Sequence, residues 1–278
     1  MERGPGRIDR GPGRGLWAKL WMRRLMMFFV RPKAQPRAPT GAAASLPNGL
    51  RVYAIGDIHG RLDLLQVLSN KLRNDLRDDP CENAVIVLLG DYIDRGPDSA
   101  GVIDWFLAAG LPAPAIVLRG NHEATLLDFL VDETVLDNWR RFGGLETLSS
   151  YGVDVRDAMR GRNYAAAQAK FREVLPPTHQ SFFDRTRLSW SSGDYFFCHA
   201  GVRPNVPLQR QEEQDLLWIR DEFNDFRGAF DKMIVHGHTP VAAPEILPNR
   251  INIDTGAYAT DVLTCLVLQG RERRFIAT

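Results

Sequence analysis

Arg51-Val52-Tyr53-Ala54-Ile55-Gly56-Asp57-Ile58-His59-Gly60 is a short apolar run that ends abruptly in glycine, aspartate and histidine. The same arrangement recurs down the chain. Residues 84–89 lead into Gly90-Asp91-Tyr92-Ile93-Asp94-Arg95-Gly96, and residues 115–118 into Arg119-Gly120-Asn121-His122-Glu123. Residues 195–198 lead into His199-Ala200-Gly201, and residues 232–235 into His236-Gly237-His238-Thr239-Pro240. Continuous runs rich in Val and Ile read as strands buried on both faces. Leu62, Leu64, Leu65, Leu68 and Leu72 then recur at helical spacing, as do Val102, Ile103, Phe106 and Leu107. Strand, polar loop and helix therefore alternate, which predicts an α/β fold with its site beyond the carboxyl ends of the strands. Asp, His and Asn at five such ends are the oxygen and nitrogen donors that divalent metals take. Glycines flank them where the backbone must turn sharply.

Taken in order, G-D-x-H-G, G-D-Y-x-D-R-G, R-G-N-H-E, H-A-G and G-H-T-P resemble the motifs of the PPP-type serine/threonine phosphoprotein phosphatases, bacterial branch, in the calcineurin-like metallophosphoesterase superfamily. The resemblance spans residues 51–259. It implies a central β-sandwich of two mixed sheets flanked by helices, with two divalent metal ions at one edge. It places Asp57 and His59 on the first metal, Asp91 as the bridge, and Asn121, His199 and His238 on the second. A hydroxide held between the ions would attack phosphorus. His122 would then protonate the leaving oxygen, oriented by Asp94. Arginine offers a planar, permanently charged fork to phosphoryl oxygens. Arg95, inside the second motif, is the leading candidate, Arg220 resembles a phosphate-binding arginine of bacterial members, and Asn121 is expected to contact phosphate as well. The ligand set accepts Mn²⁺, Fe or Zn²⁺, with Mn²⁺ the expected ion.

Other residues are read as structural. Arg119 is expected to tie loops together, His236 to pack behind the site, His179 to lie on the surface, and Cys198 to act as a small buried hydrophobe. The expected activity is hydrolysis of phosphoserine and phosphothreonine in proteins, with phosphotyrosine left open. Two alternatives stand beside it: a symmetrical diadenosine tetraphosphate hydrolase and a phosphopeptide-binding pseudoenzyme. The first is placed second because those enzymes resemble G-N-H-D, whereas this chain carries Asn121-His122-Glu123.

Composition separates two segments, 1–49 and a catalytic domain over 50–278. Ten of the 35 Lys and Arg but only two of the 34 acids lie in residues 1–50, leaving 25 against 32 for the rest. No nucleic-acid partner is expected. Residues 16–30 are apolar with interspersed cations, too short and charged to span a bilayer. They are read either as a basic amphipathic helix on a membrane surface or as a disordered leader, followed by a Pro/Ala-rich linker. Three cysteines, at 81, 198 and 265, form no pairing framework, so a reducing compartment, the cytoplasm, is expected. Between the third and fourth motifs, Trp139, Phe142, Leu145 and Leu148 form one helical stripe, read first as core packing and, from its position, as a candidate cap over the site.

Overall fold

The computed structural model describes residues 44–278. Among them no helix is long and apolar enough to cross a membrane; the segment 16–30 lies outside the described residues.

The chain opens with β1 (Leu50–Ile55), α1 (Leu62–Asp78), β2 (Asn83–Leu88), α2 (Ser99–Leu107), β3 (Ala115–Val117) and α3 (Asn121–Val131). A run of helices follows: α4 (Leu136–Trp139), α5 (Gly144–Ser150), α6 (Arg156–Met159), α7 (Tyr164–Val174) and α8 (Pro177–Asp184). The second half holds β4 (Ser189–Ser192), β5 (Tyr195–Cys198), α9 (Glu213–Trp218), α10 (Asp221–Asn224), β6 (Met233–His236), β7 (Glu245–Ile246) and β8 (Arg250–Asn252). It closes with α11 (Ala257–Thr260), β9 (Thr264–Gln269) and β10 (Glu272–Ala277).

Two five-stranded mixed sheets result, ordered β10-β9-β1-β2-β3 and β4-β5-β6-β8-β7. Alternation along each strand explains why the runs are apolar throughout. On β1 and β2, Tyr53, Ile55, Ile86 and Leu88 face α1, α2 and α3 in one core, while Val52, Ala54 and Val87 meet Tyr195, Phe197 and Val235 of the second sheet in another. Phe196, Cys198 and Ile234, from the opposite face of the second sheet, pack on Leu216 and Phe223 in a third. Each large side chain so buried stabilises the fold by roughly 1.5–3 kcal/mol before entropy is counted. Residues 44–49 also join the packing: Ala44 and Leu46 are buried between the sheets, and Leu46 N donates to Gly270 O.

The parallel pairings aim the loops. Ile55 pairs Leu88 and Leu88 pairs Val117, while Phe197 pairs Val235 and Val235 pairs Ile251. Six strands therefore end along one edge of the sandwich, where Asp57, Asp91, Asn121, His199, His238 and Asp254 follow them.

Candidate active site

The loops at that edge are wound tightly. His59, Asp91, Asp94, Arg95 and His238 all occupy the left-handed region, with φ between 47° and 73°. Non-glycine residues stay there only where the surrounding structure over-determines them, at about 1–3 kcal/mol each. Glu123 supplies much of that determination. Its buried carboxylate accepts from Asp91 N at 2.9 Å, Tyr92 N at 2.8 Å and Gly120 N at 2.8 Å, binding the second loop to the third. Two glycines are needed for close approach. A Cβ on Gly120 would fall 2.1 Å from Asp91 Oδ1, and one on Gly237 would fall 2.0 Å from Asp57 Oδ1. Gly237→Ala is accordingly expected to displace Asp57 and to weaken Mn²⁺ binding by about 10–100-fold with the fold retained, as read by titration calorimetry and circular dichroism.

Asp57, His59, Asp91, Asn121, His199 and His238 converge and are buried. Tautomers follow from their outer contacts. His199 Nδ1 donates to Leu89 O at 3.0 Å, and His59 Nδ1 donates to Ile93 O at 2.9 Å. Burial holds His59 down to about 3 and, with its neighbour His199, His238 down to about 2; burial also lowers His199. In neutral His199 the Nε2 lone pair then faces Asn121 Oδ1 at 2.9 Å and Asp91 Oδ1 at 3.3 Å. His59 Nε2 faces Asp91 Oδ2 at 3.6 Å. Acceptors aimed at acceptors repel unless a cation lies between them. Asp57 Oδ1 is buried without a partner. Burial, then Asp254 and Asp91, push its carboxyl well above the usual range. A mixed carboxylate, amide and imidazole set fits first-row divalent ions, and among the described residues Asp91 belongs to both groups of side chains able to hold one.

His122 stands in the first turn of α3. Its Nδ1 lies 2.5 Å from Asp94 Oδ2, and its Nε2 lies 3.7 Å from Asp91 Oδ2 and 3.3 Å from Arg95 Nη2. Burial opposes its charge, but Asp91 and Asp94 outweigh burial and lift it to about 9. Asp94 is completely enclosed. Trp139 Nε1 donates to its Oδ2 at 2.6 Å and the Thr147 hydroxyl to its Oδ1. Helices α4 and α5 thus reach Asp94 and hold it, while Trp139 and Leu148 pack in the core. Of their stripe, Trp139 and Leu148 are buried but Phe142 is 51% exposed.

Arg95 flanks His122, whereas Arg220 is exposed on the far side, where its charge helps keep His199 and His238 neutral. Arg119 ties loops as expected, donating to Thr186 and to Phe183 O and pairing with Glu213. His236 packs edge-on against Phe223. His179 is not a surface residue. It is buried, with Nδ1 2.8 Å from Tyr151 Oη and Nε2 2.9 Å from Asp104 Oδ1, because α8 folds back onto α2. Sequence reasoning also missed Glu123, Trp139, Thr147 and Tyr258, whose signals are an acid three residues after Gly120 and polar atoms among apolar ones.

The calcineurin-like phosphoesterase profile matches residues 50–265. The chain belongs to that family. Asymmetrical bis(5'-nucleosyl)-tetraphosphatase PrpE of Bacillus anthracis is 30% identical over 238 residues, covering 76% of this chain and 88% of its own. The Oceanobacillus iheyensis enzyme of the same name is 25% identical, covering 77% and 87%. A crystal structure provisionally named a diadenosine tetraphosphatase superposes with a TM-score of 0.56 at 22% identity over 84% of this chain and 98% of that one. Within the calcineurin-like phosphoesterases, these relatives overturn the phosphoserine/phosphothreonine reading. The ground for placing the dinucleotide hydrolase second, Glu123 in place of Asp, fails physically: Glu123 is buried against loop amides and reports how the loops are clamped rather than what they bind. The dinucleotide alternative is the better supported one, with the difference that the relatives are named asymmetrical.

Proposed function

We propose that the chain is a metal-dependent hydrolase of bis(5'-nucleosyl) polyphosphates, cleaving one phosphoanhydride bond asymmetrically. Its main support is the buried acceptor cluster of His199, Asn121 and Asp91, taken with the names of relatives that cover three quarters of the chain. In this reading Asp57, His59 and Asp91 hold one divalent ion, and Asp91, Asn121, His199 and His238 the other, with Mn²⁺ the ion to test first. Bound there, such ions neutralise phosphate charge and supply a nucleophilic oxygen near neutral pH. Proximity also groups His122 with His59 and Asp91, but a protonated imidazole is no ligand. His122 instead gives its proton to the departing phosphate oxygen while Asp94 keeps the ring in line. Arg95 and Arg220 hold phosphoryl oxygens from opposite sides of the centre, and Asn121 Nδ2 is free to donate to one of them.

Incubation with diadenosine tetraphosphate and Mn²⁺, followed by separation of products, is the test. Equal amounts of ATP and AMP are expected. ADP alone would assign the symmetrical mode, and an uncleaved substrate would overturn the proposal.

A further inference from the structure

Tyr258 is a large aromatic side chain left 39% exposed at the rim of the centre. Its ring centroid lies 5.3 Å from that of His59, edge to face, and the Arg95 guanidinium lies over the ring, 4.5 Å from its centroid. The ring, Arg61, Gln66, Arg95 and Asp98 line a groove of about 610 Å³, within the range of small-molecule sites, about 300–1,000 Å³.

The backbone beneath Tyr258 is fixed. α11 is a single turn between Gly256 at φ 65° and Asp261 at φ 61°, both left-handed. Arg61 Nη1 donates to Ala257 O at 3.0 Å and to Asp261 Oδ1 at 2.5 Å, joining both ends of that turn. Its Nε and Nη2 meanwhile grip Asp63 at the start of α1. The Thr260 hydroxyl donates back to Thr255 O and Gly256 O. Exposing a ring to water costs hydrophobic free energy; here the bonds fix the backbone that carries it, and His59 and Arg95 flank the ring itself. A ring already immobilised gives up little entropy when a flat partner stacks on it. An aromatic plane and an arginine on one wall match the base and the phosphate of a 5'-nucleotide.

Resting on the activity proposed above, we infer that this groove is the nucleoside subsite and that Tyr258, through the part of its ring that Arg95 leaves open, stacks on the nucleobase of the substrate. Stacking is sequence-tolerant because every base has a π face, so the subsite accepts purines and pyrimidines alike.

AMP and ribose 5-phosphate share sugar and phosphate and differ by the base, so calorimetric titration of the Mn²⁺-loaded protein with each isolates the stacking. Wild type is expected to prefer AMP by on the order of tenfold. The preference should fall towards one in Tyr258→Ala and persist in Tyr258→Phe and Tyr258→Trp. Equal preference in wild type and Tyr258→Ala, no preference in wild type, or equal weakening of both ligands would overturn the subsite, the last because Tyr258 would then act only through Arg95. Should the alanine variant melt early, the two aromatic variants still decide, since loss of preference in both is incompatible with stacking. The ratio is read without turnover. Absent dinucleotide cleavage beside an intact base preference removes the activity and keeps the subsite, and the converse removes only the subsite.

Discussion

His122→Asn is expected to lower kcat on diadenosine tetraphosphate by about 10²–10⁴-fold with little change in KM, the range for loss of a positioned general acid. Steady-state kinetics on the two proteins checks it, and an unchanged kcat would remove His122 from the reaction. The expectation rests on the ring's setting. Asp94 takes its Nδ1 at 2.5 Å and is itself held by Trp139 and Thr147, so the imidazole has one orientation. The same contacts predict pH behaviour. With His122 raised to about 9, the proton it donates is present below that pH and lost as pH rises through it. Cations bound at Asp91 shift that limb to lower pH, because like charges disfavour imidazolium. In metal-free protein the raised value also contributes stability, fully present below the unfolded value of about 6.5 and lost as pH rises through about 9. Denaturant unfolding at the two ends of that window should show the loss in wild type and a smaller one in His122→Asn.

Asp91→Asn is expected to reduce activity further, below about 10⁻³ of wild type, since one carboxylate serves both candidate ion positions. Burial opposes its ionisation, yet His199, His122 and His59 around it hold it well below the usual carboxylate range. The amide cannot supply that charge. Stabilisation by a bound ion grows as RT ln(1 + [L]/Kd), so the rise in Tm that wild type shows on adding Mn²⁺ should largely vanish in the variant. A variant with an undiminished Mn²⁺-dependent rise would show that the ions are held elsewhere.

Local information carried the strands and their ligand loops. Runs such as 52–55 and 84–89 are apolar at every position, as strands covered on both faces require. Each leads within three residues into a metal-ligand residue type with a glycine close beside it, so Asp57, Asp91, Asn121, His199 and His238 were legible without coordinates. Glu123 shows the limit. In the motif it serves only to separate families, while its carboxylate turns inward to the Asp91 and Tyr92 amides, some thirty residues away, as well as to Gly120 N of its own loop. Its partners are set by where β2 and β3 lie, and no pattern within the third motif encodes that. Trp139 and His179 failed similarly: an apolar stripe hid an indole N–H that reaches Asp94, and an isolated histidine hid a buried bond to Asp104.

By itself, the sequence determined the α/β alternation, the five ligand loops and the chemical types of the donors, because these depend on residue pattern and on backbone preferences over a few residues. Tertiary structure alone decided which acceptors confront one another across the centre, how α4 and α5 hold Asp94, and that Tyr258 stands open beside Arg95, because each of these joins atoms tens to hundreds of residues apart that come together only when the strands pair and the two sheets pack.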